Sequence, residues 1–285
     1  MSAKILLLGS TGKMGTALRE VFSGGYTVVG TSRANLDATD FSRLRFLINE
    51  HEPDIVINTI AFLGIDACER EPEKAFRLNT LYPKSLAELA NEKGFLLIHF
   101  SSDAVFNNEK QDFHLESDPA SPLNVYGLSK YGGDCFIRAI AERYYIIRVS
   151  LLFGQSTNSS QFVEKMLTRI RHGAVVLKIA DDIVLSPSYT LDVALEVKRL
   201  LENSFPHGLY HVANQGNASL SELMTELVGS LHPGVVVESV SSTEYPSQGV
   251  KNSFTPIASE KLPPLRPWDE AVKAYCAALA GMERL

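Results

Sequence analysis

Near the start of the chain an apolar run gives way to closely spaced glycines, and this junction limits the fold more than any other feature. Lys4-Ile5-Leu6-Leu7-Leu8 reads as a strand buried on both faces. It runs into Gly9-Ser10-Thr11-Gly12-Lys13-Met14-Gly15, after which Leu18, Val21 and Phe22 fall on one side of a helix. Glycine permits the tight strand-to-helix turn and lets the backbone approach a pyrophosphate. The free N–H groups of the helix's first turn carry partial positive charge toward it. Gly9, Thr11, Gly12, Lys13, Met14 and Gly15 are the candidate contacts. A glycine pattern alone is a weak signal; the strand before it and the helix after it supply the required context.

Strand and helix then alternate. Strands are expected at 26–30, 55–58, 95–100 and 145–149, and helices at 41–50, 73–93 and 126–143. The alternation argues for an α/β fold built on a doubly wound, mostly parallel sheet. An acidic residue at the end of the second strand would take a ribose 2′-hydroxyl; here Ser32 and Arg33 stand there, a pair suited to a 2′-phosphate. NADPH is therefore expected over NADH, with NADH left open. Asp40 and Phe41 either flank the adenine or, for Asp40, cap the next helix. Ile60, Ala61 and Phe62 follow the third strand, where the backbone can meet the cofactor.

The chemistry is expected between residues 97 and 130. Leu97-Ile98-His99-Phe100 is a buried strand by composition, and Ser102 falls just past its end, where open α/β sheets place their sites. Tyr126 and Lys130 are four apart, so a helix starting near Tyr126 puts both on one face. A phenol is a poor acid or base at neutral pH, and a nearby ammonium would lower its pKa. The Ser102 hydroxyl can hold a carbonyl oxygen against the phenol. Y-x-x-x-K also occurs by chance in many helices, and the glycine turn is what raises its weight here.

Past Gly154 the rhythm changes: a polar loop at 156–160, short helices and strands, then a proline-rich stretch and a terminal helix. Residues 1–152 with 184–212 are read as the cofactor domain, and 153–183 with 213–285 as a smaller C-terminal substrate-binding lobe. The formal net charge of −6 gives no basic surplus for a phosphate backbone, so nucleic acid is not an expected partner. No apolar run approaches membrane-spanning length, and no signal peptide precedes the first strand. Three widely spaced cysteines, Cys68, Cys135 and Cys276, suit a reducing cytoplasm. The seven histidines show no metal spacing, and Asp181-Asp182 reads as a solvated turn.

Taken together, these pieces resemble the extended short-chain dehydrogenase/reductase superfamily and, more narrowly, the dTDP-4-dehydrorhamnose reductase family. The resemblance is carried by the glycine turn, Pro53-Asp54-Ile55-Val56-Ile57-Asn58, Asp66 with Glu71-Pro72-Glu73, His99-Phe100-Ser101-Ser102-Asp103, Pro122-Leu123-Asn124-Val125-Tyr126-Gly127 with Lys130, and Leu265-Arg266-Pro267-Trp268-Asp269. It implies a Rossmann-like cofactor domain and reduction at C4 of a nucleotide-linked 4-keto-6-deoxy sugar. In that picture Tyr126 protonates the C4 oxygen, Lys130 tunes Tyr126 and holds the nicotinamide ribose, Ser102 bonds the keto oxygen, and Asp103 orients the sugar.

Two sugar-pocket positions depart from the family: Ala104 stands where Tyr is common, and Leu152 where Trp is common. The resemblance therefore leaves the particular sugar and nucleotide open. A carboxylate set for the magnesium-linked dimer contact of part of the family is not evident, and a homodimer stays open. The same fold also resembles the regulatory β subunit of methionine adenosyltransferase, against which the intact Ser102, Tyr126 and Lys130 speak. A sugar-nucleotide dehydratase would carry Glu after the Asp, where Ala104 stands. An epimerase would prefer an acidic residue after the second strand.

Overall fold

Six parallel strands form the centre of the molecule. The computed structural model describes residues 2–155 and 161–282; the polar loop expected at 156–160 lies outside them. The first half runs β1 (Lys4–Leu8), α1 (Lys13–Phe22), β2 (Thr27–Gly30), α2 (Phe41–His51), β3 (Ile55–Asn58), α3 (Ile65–Arg70), α4 (Pro72–Phe76), α5 (Tyr82–Lys93), β4 (Leu96–Ser102), α6 (Val125–Ile140) and β5 (Tyr144–Val149). The second half runs β6 (Leu152–Phe153), α7 (Phe162–Arg171), β7 (Val176–Ala180), β8 (Val184–Leu185), β9 (Ser188–Tyr189), α8 (Thr190–Glu202), β10 (Gly208–His211), β11 (Ala218–Ser219), α9 (Leu220–Leu231), β12 (Val236–Val240) and α10 (Trp268–Met282).

The sheet order is β10-β5-β4-β3-β1-β2. Helices α1 and α8 cover one face through Leu18, Phe22, Val193 and Val197. Helices α2, α5 and α6 cover the other through Leu44, Leu47, Leu86 and Ile137. Both faces are thus dry, which is why the strands read as unbroken apolar runs. Because β2 lies on one side of β1 and β3 on the other, the winding reverses beside β1 and leaves a crevice above Gly9. A second core gathers Phe153, Val163, Leu223, Leu227, Val272 and Tyr275 among α7, α9 and α10. There β7 and β12 pair in parallel, away from the central sheet.

Two local expectations change. The helix expected at 73–93 is interrupted: a π-turn at Arg77–Leu81 separates α4 from α5. That widened turn buries Asn79 and Thr80, and the Thr80 hydroxyl donates to the Ser129 carbonyl at 2.6 Å. Strand β4 runs two residues further than expected, because β5 keeps pairing as far as Ser102 opposite Val149. Helix α8 opens at Thr190 with Tyr189 as its cap. The capping box of Ser219 and Glu222 is present at the start of α9. Among the described residues, no helix is long and apolar enough to cross a membrane.

Candidate active site

Strand register brings the expected residues to one edge. Leu8 lies opposite Asn58, Asn58 opposite His99, and Ser102 opposite Val149. Gly9, Thr59, Ser102 and Ser150 therefore all emerge at the carboxyl end of the sheet. At the turn, Gly9 has φ +84° and the Gly12 N–H donates to its carbonyl at 3.0 Å. A Cβ on Gly15 would meet the Gly9 oxygen at 2.2 Å, so α1 can start this close to β1 only with glycine there. Gly12 caps α1 without a side-chain bond, which leaves first-turn N–H groups to face the crevice. Thr11 is exposed on the rim and Met14 is buried beneath. This cradle fits a pyrophosphate.

Lys13 behaves differently from the expected cofactor contact. Its side chain is only 4% exposed. The ammonium donates to the Leu152 carbonyl at 2.8 Å and lies 2.9 Å from Glu164 Oε1. Burial lowers its pKa, while the charge and hydrogen bond of Glu164 oppose the fall.

Past β2, the Ser32 N–H donates to Asn35 Oδ1 at 2.7 Å. Arg33 is exposed and in no ion pair among the described residues. Asp40 caps α2, its Oδ1 accepting from the Ser42 and Arg43 N–H groups at 3.0 Å each. Its capping alternative is thus the one realised. Phe41 lies 5.9 Å from Tyr82, with the Arg77 guanidinium 5.2 Å from its ring centroid. Beyond β3, Thr59 donates to the Leu8 carbonyl at 2.8 Å, and the Ile60 N–H donates to Asn58 Oδ1 at 3.1 Å. Asn79, on the π-turn, accepts from the Phe62 N–H at 2.8 Å and donates to the Phe62 carbonyl at 2.9 Å. Ile60, Ala61 and Phe62 are thereby pinned beside the glycine turn.

Tyr126 sits one residue into α6, whose cap Asn124 accepts from the Gly127 N–H at 2.9 Å. The same Asn124 amide donates to the Val250 carbonyl and to Asn252 Oδ1. The Tyr126 phenol is hydrogen-bonded to Ser102. Ser102 donates its proton to Asp103 Oδ1 at 3.0 Å, and its oxygen accepts from the Ala104 N–H at 3.1 Å. Asp103 Oδ2 accepts from Ser150 at 2.8 Å and Thr255 at 3.1 Å. Burial raises the Asp103 pKa against the pull of these bonds. Its carboxylate thus anchors Ser102 to β5 and to the C-terminal segment. Ala104 is buried, and its carbonyl would lie 2.1 Å from a Cβ on Gly127.

Lys130 lies one helical turn beyond Tyr126 and is 2% exposed. It donates to the Phe100 carbonyl at 2.6 Å and lies 3.3 Å from His99 Nε2. Burial brings its pKa down to about 8, opposed by Asp134, whose carboxylate pairs with Arg148 at 3.1 Å. His99 is wholly buried, held at Nδ1 by Asn58 at 3.0 Å, and burial keeps its pKa well below the usual value. The expectation that Lys130 lowers the phenol's pKa meets a correction. Burial, with the Asp103 charge adding to it, drives the Tyr126 pKa upward despite the Ser102 bond. The ammonium is turned to Phe100 and His99 instead. A phenol held protonated is a proton donor.

Sequence reasoning missed Lys13–Glu164, the Asp103–Thr255 bond and the His99 link. Asp103 and Thr255 are 152 positions apart, and no local pattern marks the pair. Among the described residues, no group of three or more His, Cys, Asp or Glu side chains is arranged to hold a metal ion.

A family model described as the RmlD substrate binding domain matches residues 3–280. A spore coat polysaccharide biosynthesis protein of Bacillus subtilis is 31% identical over 277 residues, covering 95% of this chain and 96% of that protein. A dTDP-4-dehydrorhamnose reductase of Mycolicibacterium smegmatis is 30% identical over 292 residues, covering 99% and 87%. In three dimensions the chain is similar to a crystal structure of a dTDP-4-dehydrorhamnose reductase from Clostridium acetobutylicum. The TM-score is 0.91 at 28% identity, over 97% of this chain and 99% of that one.

Proposed function

The chain belongs to the RmlD substrate-binding-domain family, and from that membership we propose that it is an NAD(P)H-dependent oxidoreductase that reduces a keto group of a sugar nucleotide. The keto group is read as C4 of a nucleotide-linked 4-keto-6-deoxy sugar. The observation that carries the reading is the convergence of Ser102 and Tyr126 at the carboxyl edge of the sheet, with Lys130 buried one turn beyond.

Residues 1–152 with 184–212 would hold the cofactor, and 153–183 with 213–285 the sugar. The turn at Gly9, Thr11, Gly12, Met14 and Gly15 would take the pyrophosphate. Ser32 and Arg33 would take a 2′-phosphate, so NADPH is the preferred form. When bound there, the reduced nicotinamide supplies the hydride.

This chain's own residues handle the oxygen and the proton. A keto oxygen arriving between Ser102 and Tyr126 accepts the phenolic O–H. As negative charge grows on that oxygen, Tyr126 passes its proton across the bond. Asp103 keeps Ser102 aimed, so no reorganisation is needed at that moment. Lys130, fixed by the Phe100 carbonyl one turn beyond Tyr126, would hold the nicotinamide ribose. Ala104 and Leu152 leave the sugar side of the pocket apolar and small, which sets which keto sugars fit.

The test is the loss of NADPH absorbance with purified protein and dTDP-4-keto-6-deoxy sugars, with NADH alongside. Turnover that depends on the keto sugar supports the reading. NADPH binding without turnover across a panel of nucleotide keto sugars would overturn it.

A further inference from the structure

Lys13 stands in the turn read above as the pyrophosphate site, yet its ammonium points the other way. It is the first residue of α1, and its two polar partners belong to the far side of the cleft: the Leu152 carbonyl on β6 and the Glu164 carboxylate on α7. Both ends of the ion pair are buried, at 4% and 7% exposure. Among the described residues, neither Glu164 oxygen has another hydrogen-bond partner. Swinging Lys13 toward a phosphate would strand a buried carboxylate, which is strongly unfavourable. The pair is therefore fixed by its own burial. It joins the backbone that would touch the cofactor phosphates to the strand that carries Leu152 and to the first turn of the lobe's α7.

We propose that Lys13 is a positioning residue that ties the cofactor turn to the sugar pocket and does not itself ligate a cofactor phosphate. The proposal rests on the reading of the turn and of Leu152 given above. Its consequence is energetic coupling. Filling the turn stiffens α1 and, through Lys13, holds β6 and α7 in the geometry that receives the sugar. By linkage, the sugar nucleotide tightens the cofactor to the same degree.

The experiment compares wild type with Lys13→Arg, Glu164→Gln and the double variant Lys13→Met/Glu164→Gln. The double variant removes both charges together and so leaves no buried charge unpaired. NADPH dissociation constants come from fluorescence, and kcat and KM from turnover of the keto sugar. Hydrogen exchange of β6 and α7 is followed with and without NADPH.

The double variant is expected to raise KM for the sugar nucleotide about tenfold, within the usual 5–150-fold range of such couplings, while the NADPH constant stays within about twofold. Lys13→Arg is expected to recover most of the loss. NADPH should protect β6 and α7 from exchange in wild type and no longer do so in the double variant. A double variant with wild-type KM and wild-type protection would overturn the tie. So would an NADPH constant raised tenfold in the double variant but unchanged in Glu164→Gln, which would make Lys13 a phosphate ligand. If wild type turns over no keto sugar, the functional reading fails on its own. The exchange data then decide the tie, since they need only NADPH.

Discussion

Asn79 grips the main chain of Phe62 from both sides, its Oδ1 2.8 Å from the Phe62 nitrogen and its Nδ2 2.9 Å from the Phe62 oxygen. The amide also donates to Ser129, whose hydroxyl donates to the Tyr126 carbonyl at 2.9 Å. One side chain thus links the segment beside the glycine turn to the helix that carries Tyr126. It reaches both because it sits on a π-turn, where one extra residue per turn swings the side chain out of helical register.

Asn79→Ala should leave the Phe62 N–H without a partner and its carbonyl with only the Cys68 thiol at 3.5 Å, and cost about 2 kcal/mol, the penalty of stranding a partly buried backbone group. Urea denaturation reads it. A change in midpoint equivalent to less than about 0.5 kcal/mol would mean water replaces the amide freely.

Tyr126→Phe removes the proton donor and little else, since the phenol's bond goes to Ser102. Turnover should fall roughly 10²–10⁴-fold, the usual worth of a positioned general acid, with NADPH binding retained. Rates near wild type would place the proton donor elsewhere.

Arg33 is exposed and in no ion pair among the described residues. Arg33→Ala should weaken NADPH by about ten- to a hundredfold, the scale of a lost charge-assisted bond, and leave NADH nearly unchanged. Equal losses for both cofactors would show that Arg33 does not meet the 2′-phosphate.

Lys130 gives a pH signature. Its pKa falls on folding from the ordinary 10.5 to about 8, so between those values the unfolded chain binds the extra proton. Stability must therefore rise with pH across that window. The difference curve between wild type and Lys130→Met, from denaturant melts at several pH values, should show this rise. A flat difference would mean that Lys130 keeps an ordinary pKa in the folded protein.

Much of the fold is legible in the sequence because it depends on local pattern. The apolar runs at β1, β3, β4 and β5 announce strands covered on both faces, and the glycines after β1 announce the turn. Tyr126 and Lys130 could be paired from spacing alone, since a helix fixes what lies four residues away. The parallel, doubly wound character of the sheet follows from the alternation; the order of its strands, and hence the crevice above Gly9, comes from the structure.

The tertiary structure decides where side chains without a local partner go. Lys13 reads as a phosphate contact until Leu152 of β6, 139 positions past it, supplies a carbonyl and Glu164 of α7 a carboxylate. That Ser150 and Thr255 close on the second oxygen of Asp103 is likewise invisible to local pattern. The direction of the Tyr126 pKa is likewise set by burial and by the Asp103 charge, neither of which spacing reports. Local sequence fixes backbone periodicity and which residues share a face. The partner of a buried charge is chosen by whichever distant segment packs against it, and desolvation makes that choice binding.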